Sequence, residues 1–235
     1  MGMGKLCAIK SVKTTQKTTL ASILLNKPPW ARYSASSWSG TTLSDLTGNA
    51  RHATTSGVAL GSTTGNGCSG TITSIGGTTT TTIAFPTGSI PTTFTIASLS
   101  RYGTTGSTNR VLCNNSTTGN IFHGHQGAKR GVSYYDNGWK TAQATVGTLR
   151  NWLNCVGTNG SGVSIPSNIV VDGTGIGVAN AGIGNYTLAI NIGRSAEYSD
   201  YELSQLIIWD QALTADEMTI VANAITNYMN TGILQ

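Results

Sequence analysis

Charged residues are scarce in this chain of 235 residues: they make up 10% of it, and only nine are Asp or Glu. The residues that favour long helices, Ala, Leu, Glu and Lys, are not abundant either. Thr, Ser, Gly and Asn fill the chain instead. Thr and β-branched residues suit the pleated surface of a sheet, and Gly and Asn suit turns. The composition therefore predicts an all-β protein with many turns.

Long apolar runs are also missing. The apolar run nearest the start, "LASILL" (20–25), is too short and too far into the chain for a signal peptide. No stretch approaches the roughly 18 apolar residues of a membrane span. We expect synthesis without an evident signal peptide, in a cytosol. The protein could still act outside, if it travels on a particle or belongs to a longer chain.

The net charge of +5 comes from one end of the chain. Six basic residues and no acid lie in the first 32 residues, and the remainder is close to neutral. We predict a basic, flexible or extended arm over 1–19 and a single domain over 20–235. The arm is either a solvated tail or a segment that docks on an acidic partner, such as a neighbouring subunit. No aromatic residues are interleaved with its lysines, so no nucleic-acid site is evident.

The chain has four cysteines and no CxxC pair, which argues against a zinc ribbon. Because Cys7, Cys68, Cys113 and Cys155 are widely spaced, we expect mostly buried free thiols, with one disulfide possible.

Alternating apolar residues predict strands through most of the chain, the clearest over 92–102. "TLASILLN" (19–26) is predicted as a first strand, and 27–57 as an ordered loop held by Trp30, Tyr33 and Trp38. Asn137-Gly138 predicts a hairpin with a type I′ turn. One helix is predicted, opened by a Thr214–Glu217 capping box and ended near Gly232.

Two segments resemble a known family. "IGR", "IIWD" and "ALTADE" (192–217) are similar to the closing segment of laminin-G-like, concanavalin A-like lectin-glucanase domains. "LSDLTGNARHAT" (43–54) resembles their "D-x-S-G-N-x-x-H-A" element, with Thr47 where Ser is usual. The resemblance covers about 28–232. "FTIASLSRY", "HGH" and "YYDNGW" are similar to a narrower subgroup, the surface-protein domains of large algal DNA viruses.

This resemblance implies a two-sheet antiparallel jelly-roll sandwich with one C-terminal amphipathic helix. Family members bind carbohydrates or proteins, some hydrolyse glycosides, and many hold calcium. A fold alone does not select among these functions.

The distribution of acids argues against an enzyme. A sandwich glycosidase needs two carboxylates on one strand face. The densest acidic group, Glu197, Asp200 and Glu202, has the wrong spacing for this and falls in a predicted loop. No GxSxG nucleophile elbow is present either. Glycoside hydrolysis is therefore only a remote alternative.

Calcium needs six to eight oxygen ligands, several of them from carboxylates. The candidates are scattered single residues, so the sequence leaves calcium binding open. They are Asp45, Asp136, Asp172 and Asp200.

Carbohydrate binding needs aromatic rings beside directed hydrogen-bond groups. We predict such a site around the 120–140 region, where adjacent Tyr134 and Tyr135 must point to opposite faces. Trp152 and Trp209 are instead expected in the core. The predicted site residues are Arg101, His123, His125, Tyr135 and Trp139.

The "HGH" histidines, His123 and His125, share one face if their segment is a strand. They could be a structural pair with internal partners, a ligand-facing pair, or two ligands of a metal that would still need a third.

Two hypotheses remain from different classes. The first is a non-catalytic, lectin-like carbohydrate-binding module, displayed on a virion or other microbial or extracellular surface for attachment to host glycans. The second is a structural virion or surface protein that packs on neighbouring subunits through its jelly roll and basic arm. A cytoplasmic location is the alternative to surface display.

Overall fold

The computed structural model describes residues 18–234, and within them two antiparallel sheets of eight strands each form a β-sandwich. The predicted all-β sandwich with a C-terminal helix is thus confirmed. The back sheet contains β1 (Ala31–Ser34), β5 (Ala59–Gly65), β6 (Cys68–Gly77), β8 (Thr95–Tyr102), β12 (Leu153–Thr158), β13 (Ile169–Val171), β14 (Thr174–Gly175) and β16 (Tyr201–Trp209). The front sheet contains β2 (Trp38–Ser39), β3 (Thr42–Leu43), β4 (Ala53–Ser56), β7 (Thr82–Ala84), β9 (Leu112–Asn114), β10 (Ile121–His125), β11 (Arg130–Tyr135) and β15 (Leu188–Ile190).

The strand order puts β8 and β16 at the centre of the back sheet, whereas the longest front-sheet strand, β11, lies at an edge. The back sheet runs β14-β13-β12-β8-β16-β6-β5, with β1 also paired to β16. The front sheet runs β11-β10-β9-β15-β7-β4-β3-β2. The main core lies between the sheets, where Ile96 and Tyr102 of β8 point. Ala97 and Leu99 point to the other face of the same strand, because side chains alternate along a strand.

That other face of the back sheet is covered by helix α2 (Ala215–Thr231). The predicted capping box is present, since Thr214 accepts from the Glu217 N–H and the Glu217 carboxylate accepts from the Thr214 N–H. Met218, Val221 and Ile225 lie on the buried side of the helix. Gly232 ends it with φ of 73°, a left-handed conformation that glycine adopts at little cost.

The segment predicted as a first strand is a helix, α1 (Leu20–Asn26). Thr19 and Ser22 form a capping box, and the buried side chains are Leu20 and Ile23. A short apolar run does not distinguish a strand from a buried helical turn. Here the three-residue spacing of the buried side chains and the capping box favour a helix.

The predicted ordered loop over 27–57 contains four short strands, β1 to β4. The aromatic residues hold it as expected: Tyr33 is buried in the main core, and Trp30 and Trp38 pack partly buried against it. The hairpin prediction was only partly right. Its turn has positive φ at Asp136 and Gly138, so it is not type I′ at Asn137-Gly138, and its return run forms isolated bridges rather than a strand.

Most of the predicted basic arm, residues 1–17 with Cys7, lies outside the described residues. The other three cysteines are buried and free. None of the helices within 18–234 has the length and apolar character needed to cross a membrane.

Candidate functional site

Three of the five predicted site residues lie inside the sandwich. His123, His125 and Tyr135 are each 0% exposed, and they point between the sheets from β10 and β11. His123 Nδ1 is 2.9 Å from the Tyr135 hydroxyl, and its Nε2 is 3.2 Å from the Cys155 carbonyl oxygen. A sugar bound at the surface cannot reach these side chains.

Burial also controls the protonation of the two histidines. Loss of hydration lowers the pKa of His123 to about 4, and the hydrogen bond with the Cys155 carbonyl offsets only part of this. The pKa of His125 lies well below its ordinary value because of burial first, and then because of the nearby Arg130 and His123. Both rings are therefore neutral at neutral pH. Within residues 18–234 no three His, Cys, Asp or Glu side chains gather as a metal site.

Arg101 is separated from the other predicted residues because it lies on the outer face of the back sheet. It is 2% exposed, pairs with Glu202 at 2.5 Å, and stacks its guanidinium 5.2 Å from the centre of the Trp152 ring. Trp152 and Trp209 are buried in the layer beneath α2, as expected of core residues.

Trp139 belongs to an aromatic patch on the outer face of the front sheet, which we define as Phe122, Tyr134 and Trp139. The Phe122 ring is 5.8 Å from Tyr134 and 5.3 Å from Trp139, and the latter two are 5.8 Å apart. Phe122 is buried beneath the other two rings, which are each half-buried. Trp139 is the member of the predicted site that lies at this surface.

The predicted alternation of the two tyrosines holds, but the choice between them has to be corrected. Tyr135 faces the core, where its ring meets Phe94 edge-on at 5.0 Å. Tyr134 faces outward beside Trp139. The sequence showed that one of the two faces outward, but only the position of the opposing sheet shows which.

A polar border adjoins the aromatic patch, and we define it as Arg110, Asn120 and Glu197. The Arg110 guanidinium lies over the Phe122 ring at 4.9 Å. Its Nη1 donates to Asn120 Oδ1 at 2.7 Å, and its Nε is 3.1 Å from Glu197 Oε2. Sequence reasoning missed this border because its three residues lie 10 to 87 positions apart and are joined by the fold alone.

The four calcium candidates lie at separate places with different partners. Asp136 accepts from the Asn120 N–H at 2.6 Å and from the Tyr186 hydroxyl. Asp172 is paired with Arg130 at 2.7 Å. Asp200 lies against Gly103 and Gly106 at the back sheet. The structure thus does not bring these carboxylates together as shared ligands.

Asp45, the fourth candidate, organises the "LSDLTGNARHAT" loop. Its carboxylate accepts from the backbone N–H groups of Arg32, Thr47 and Arg51 and from the Thr47 hydroxyl. Burial tends to raise its pKa, but these hydrogen bonds outweigh that and lower it. Thr47, at the position where the resembled motif has Ser, donates its hydroxyl to this carboxylate.

We expect Asp45→Ala to destabilise the protein by about 3 kcal/mol, because three backbone donors lose a charged acceptor. Urea unfolding at pH 7 measures this. Exposed Asp210→Ala should change stability by less than about 0.5 kcal/mol. Because folding lowers the pKa of Asp45, its carboxylate contributes fully to the free energy of unfolding above its ordinary pKa. This contribution is lost as the pH falls through the pKa of the folded state. An Asp45→Ala protein with wild-type stability would contradict this role.

The acidic group considered for catalysis is divided between the two faces of the sandwich. Glu197 belongs to the polar border of the front sheet, whereas Asp200 and Glu202 line an open cleft of about 440 Å³ on the back sheet. The Glu202 carboxylate is occupied by Arg101 and by the Ser74 hydroxyl at 3.0 Å.

No family model and no curated protein matches the chain. Solved structures resemble it in fold. A sialidase from Trypanosoma rangeli in complex with sialic acid has a TM-score of 0.53 at 13% identity, over 86% of this chain and 33% of that one. Domain 4 of AbnA, a GH43 extracellular arabinanase from Geobacillus stearothermophilus in complex with arabinotriose, has a TM-score of 0.57 at 16% identity, over 82% and 97%.

A third structure with a similar fold is the binding domain of Paraclostridial Mosquitocidal Protein 1. Its TM-score is 0.56 at 15% identity, over 86% of this chain and 53% of that one. The chain spans about a third of the length of the sialidase. Identities this low show a shared β-sandwich fold and nothing finer. None of the three links the chain to a virus.

Proposed function

We propose that the protein is a non-catalytic carbohydrate-binding module whose ligand lies on the outer face of the front sheet. One observation carries this proposal: the aromatic patch lies directly beside the polar border, with Phe122 in contact with both. The apolar face of a pyranose or furanose ring packs well on half-exposed aromatic rings. Its hydroxyl groups need donors and acceptors at the side, and the partly exposed Asn120 and Glu197 offer both kinds, while the buried Arg110 holds them in place.

The internal pairing of the border keeps its groups in place before a ligand arrives. Arg110 is held by Glu197, Asn120 and the Phe122 ring, so little side-chain freedom is lost on binding. The half-buried Tyr134 and Trp139 are likewise fixed by their mutual contact. We therefore expect selectivity for the arrangement of hydroxyl groups.

The similar solved structures support this proposal at the level of the shared fold. Two of the similar proteins were seen with sugars, sialic acid and arabinotriose. Their low identity and, for the sialidase, partial overlap mean that neither ligand can be transferred to this chain.

A glycan array probed with the whole chain tests the proposal, with calcium present and again with chelator. We expect a small set of related glycans to bind in both conditions, because the proposed contacts are aromatic rings, an amide and an ion pair. An array without hits in either condition would overturn the proposal. Binding that disappears with chelator would move the site to one of the Asp-containing loops.

We further propose that the glycan partner is on a host surface and that the module is displayed on a virion or microbial particle, as the narrower resemblance implies. Fluorescent protein should then bind to host cells and be released by treatment of those cells with glycosidases. Uniform staining of the cytoplasm of expressing cells, with no surface binding, would favour the cytoplasmic alternative.

Two other functions are weaker. A structural role in packing on neighbouring subunits is favoured by an uncovered strand edge in the back sheet, that of β5. Glycoside hydrolysis would have to use Asp200 and Glu202 in the back-sheet cleft, and the Arg101 and Ser74 bonds to Glu202 argue against it. Incubation of any glycan found on the array with the protein would reveal hydrolysis.

A further inference from the structure

One edge of the back sheet is an open template for another strand. Strand β5 (Ala59–Gly65) ends the sheet and pairs on one side with β6. In the described part of the chain, residues 59–63 form no backbone hydrogen bond with any segment other than β6. A seven-residue strand offers about 24 Å of edge, with unpaired N–H and C=O groups along it.

The usual protection of such an edge is missing. Soluble proteins block long edges with charges, prolines or strong twists. No Asp, Glu, Lys or Arg occurs anywhere from residue 52 to residue 100, and β5 contains no proline. The bulge in the β5–β6 pair lies at its far end, between Thr63 and Gly65, and leaves 59–63 in regular register.

The side chains of β5 also allow close approach. Ala59, Gly61 and Ser62 are exposed and small, so a second backbone can reach the usual 4.8 Å spacing without steric conflict. Leu60 is 53% exposed although it is apolar, and an added strand would cover it. At the other end of the sheet, β14 has only two residues and offers no comparable edge.

We infer that β5 pairs with the β5 strand of a second copy of this chain, antiparallel across a two-fold axis, so that the two back sheets join. A second copy fits this edge because a strand without charge meets no like-charge repulsion when it faces itself. A charged partner would find no complementary group on β5. The joined strands alone bury less than the roughly 1,600 Å² of a standard stable interface, so we expect a reversible dimer.

Sedimentation velocity of the wild-type chain from about 1 µM to about 500 µM, without any glycan, tests this inference over the range in which small interfaces associate. We expect a monomer–dimer equilibrium. Ser62→Lys places two like charges near the axis and should weaken the dimer at least about tenfold. Gln143→Lys, in the exposed 142–145 segment, adds the same charge elsewhere and should leave association unchanged.

A charge-swap experiment separates pairing at β5 from other effects of the substitution. Ser62→Asp alone should also weaken the dimer, whereas an equimolar mixture with Ser62→Lys should regain or exceed wild-type association. Circular dichroism and melting temperature would show that each variant is folded. A wild-type chain that stays monomeric throughout, or Lys and Asp variants that associate like wild type, would overturn the inference. Either result leaves the glycan-binding proposal standing, since that proposal uses the opposite sheet.

Discussion

Acidification from pH 7 to pH 4 is expected to remove about 3 kcal/mol or more of stability, through the buried pair His123 and His125. The pKa of His123 falls from the ordinary value of 6.5 to about 4 on folding, because burial strips its hydration. Between pH 6.5 and pH 4 the His123 ring is therefore protonated in the unfolded chain and neutral in the folded chain. The contribution of the neutral ring to the free energy of unfolding is full above pH 6.5 and is lost as the pH falls towards 4. At about 1.4 kcal/mol for each pH unit, this one residue accounts for about 3 kcal/mol.

His125 adds to the same loss, since its pKa also lies below the ordinary value. Neither of its ring nitrogens has a hydrogen-bond partner in the described residues, and its ring meets Tyr102 edge-on at 4.7 Å. A proton on this ring would lie near Arg130 with no acceptor to share it.

His125→Leu tests this account, because leucine fills a similar volume and cannot be protonated. Urea unfolding at pH 8, 7, 6, 5 and 4 should show a flatter decline for the variant than for wild type, whatever its stability at pH 8. Equal slopes for wild type and His125→Leu would contradict the proposed role of the core pair.

Loss of the two outer rings is the second large effect. We expect Tyr134→Ala together with Trp139→Ala to weaken glycan binding at least about 100-fold, and each single change about tenfold. The rings provide the apolar surface of the proposed site, whereas the border provides only directed polar contacts. Isothermal titration with the best glycan from the array measures the loss.

Two controls make this prediction specific to the patch. Trp30→Ala removes a ring of the same kind, one that lies under the Arg51 guanidinium at 4.3 Å, and should leave binding intact. Tyr135→Phe should also leave binding intact, while it costs about 1 kcal/mol of stability because His123 loses its hydroxyl partner. Retained affinity in the Tyr134/Trp139 double variant, with an intact fold, would refute the proposed site.

The sequence predicted the elements whose signal is local. The α2 helix follows from a capping box and a four-residue apolar spacing, and β8 follows from alternation in "TTFTIASLSRY". The α1 segment was assigned wrongly because its apolar run is too short to show a period. The 136–138 turn was assigned wrongly because Asp136 adopts positive φ where a carboxylate hydrogen bond is available.

The candidate site depended on contacts that have no local signal. Trp139 was identified from its place beside a turn, but Arg110, Asn120 and Glu197 come from three separate segments. Arg101 was predicted in the same site as the histidines, yet β8 belongs to the other sheet.

By itself the amino-acid sequence determined an all-β chain with one capped C-terminal helix, and it determined that Tyr134 and Tyr135 face opposite ways. Those properties depend on backbone geometry and on neighbours a few positions apart. Only the tertiary structure decided which side of each strand is the core, because that depends on where the second sheet packs. It thereby buried the "HGH" histidines and left Tyr134 and Trp139 at the surface beside Arg110.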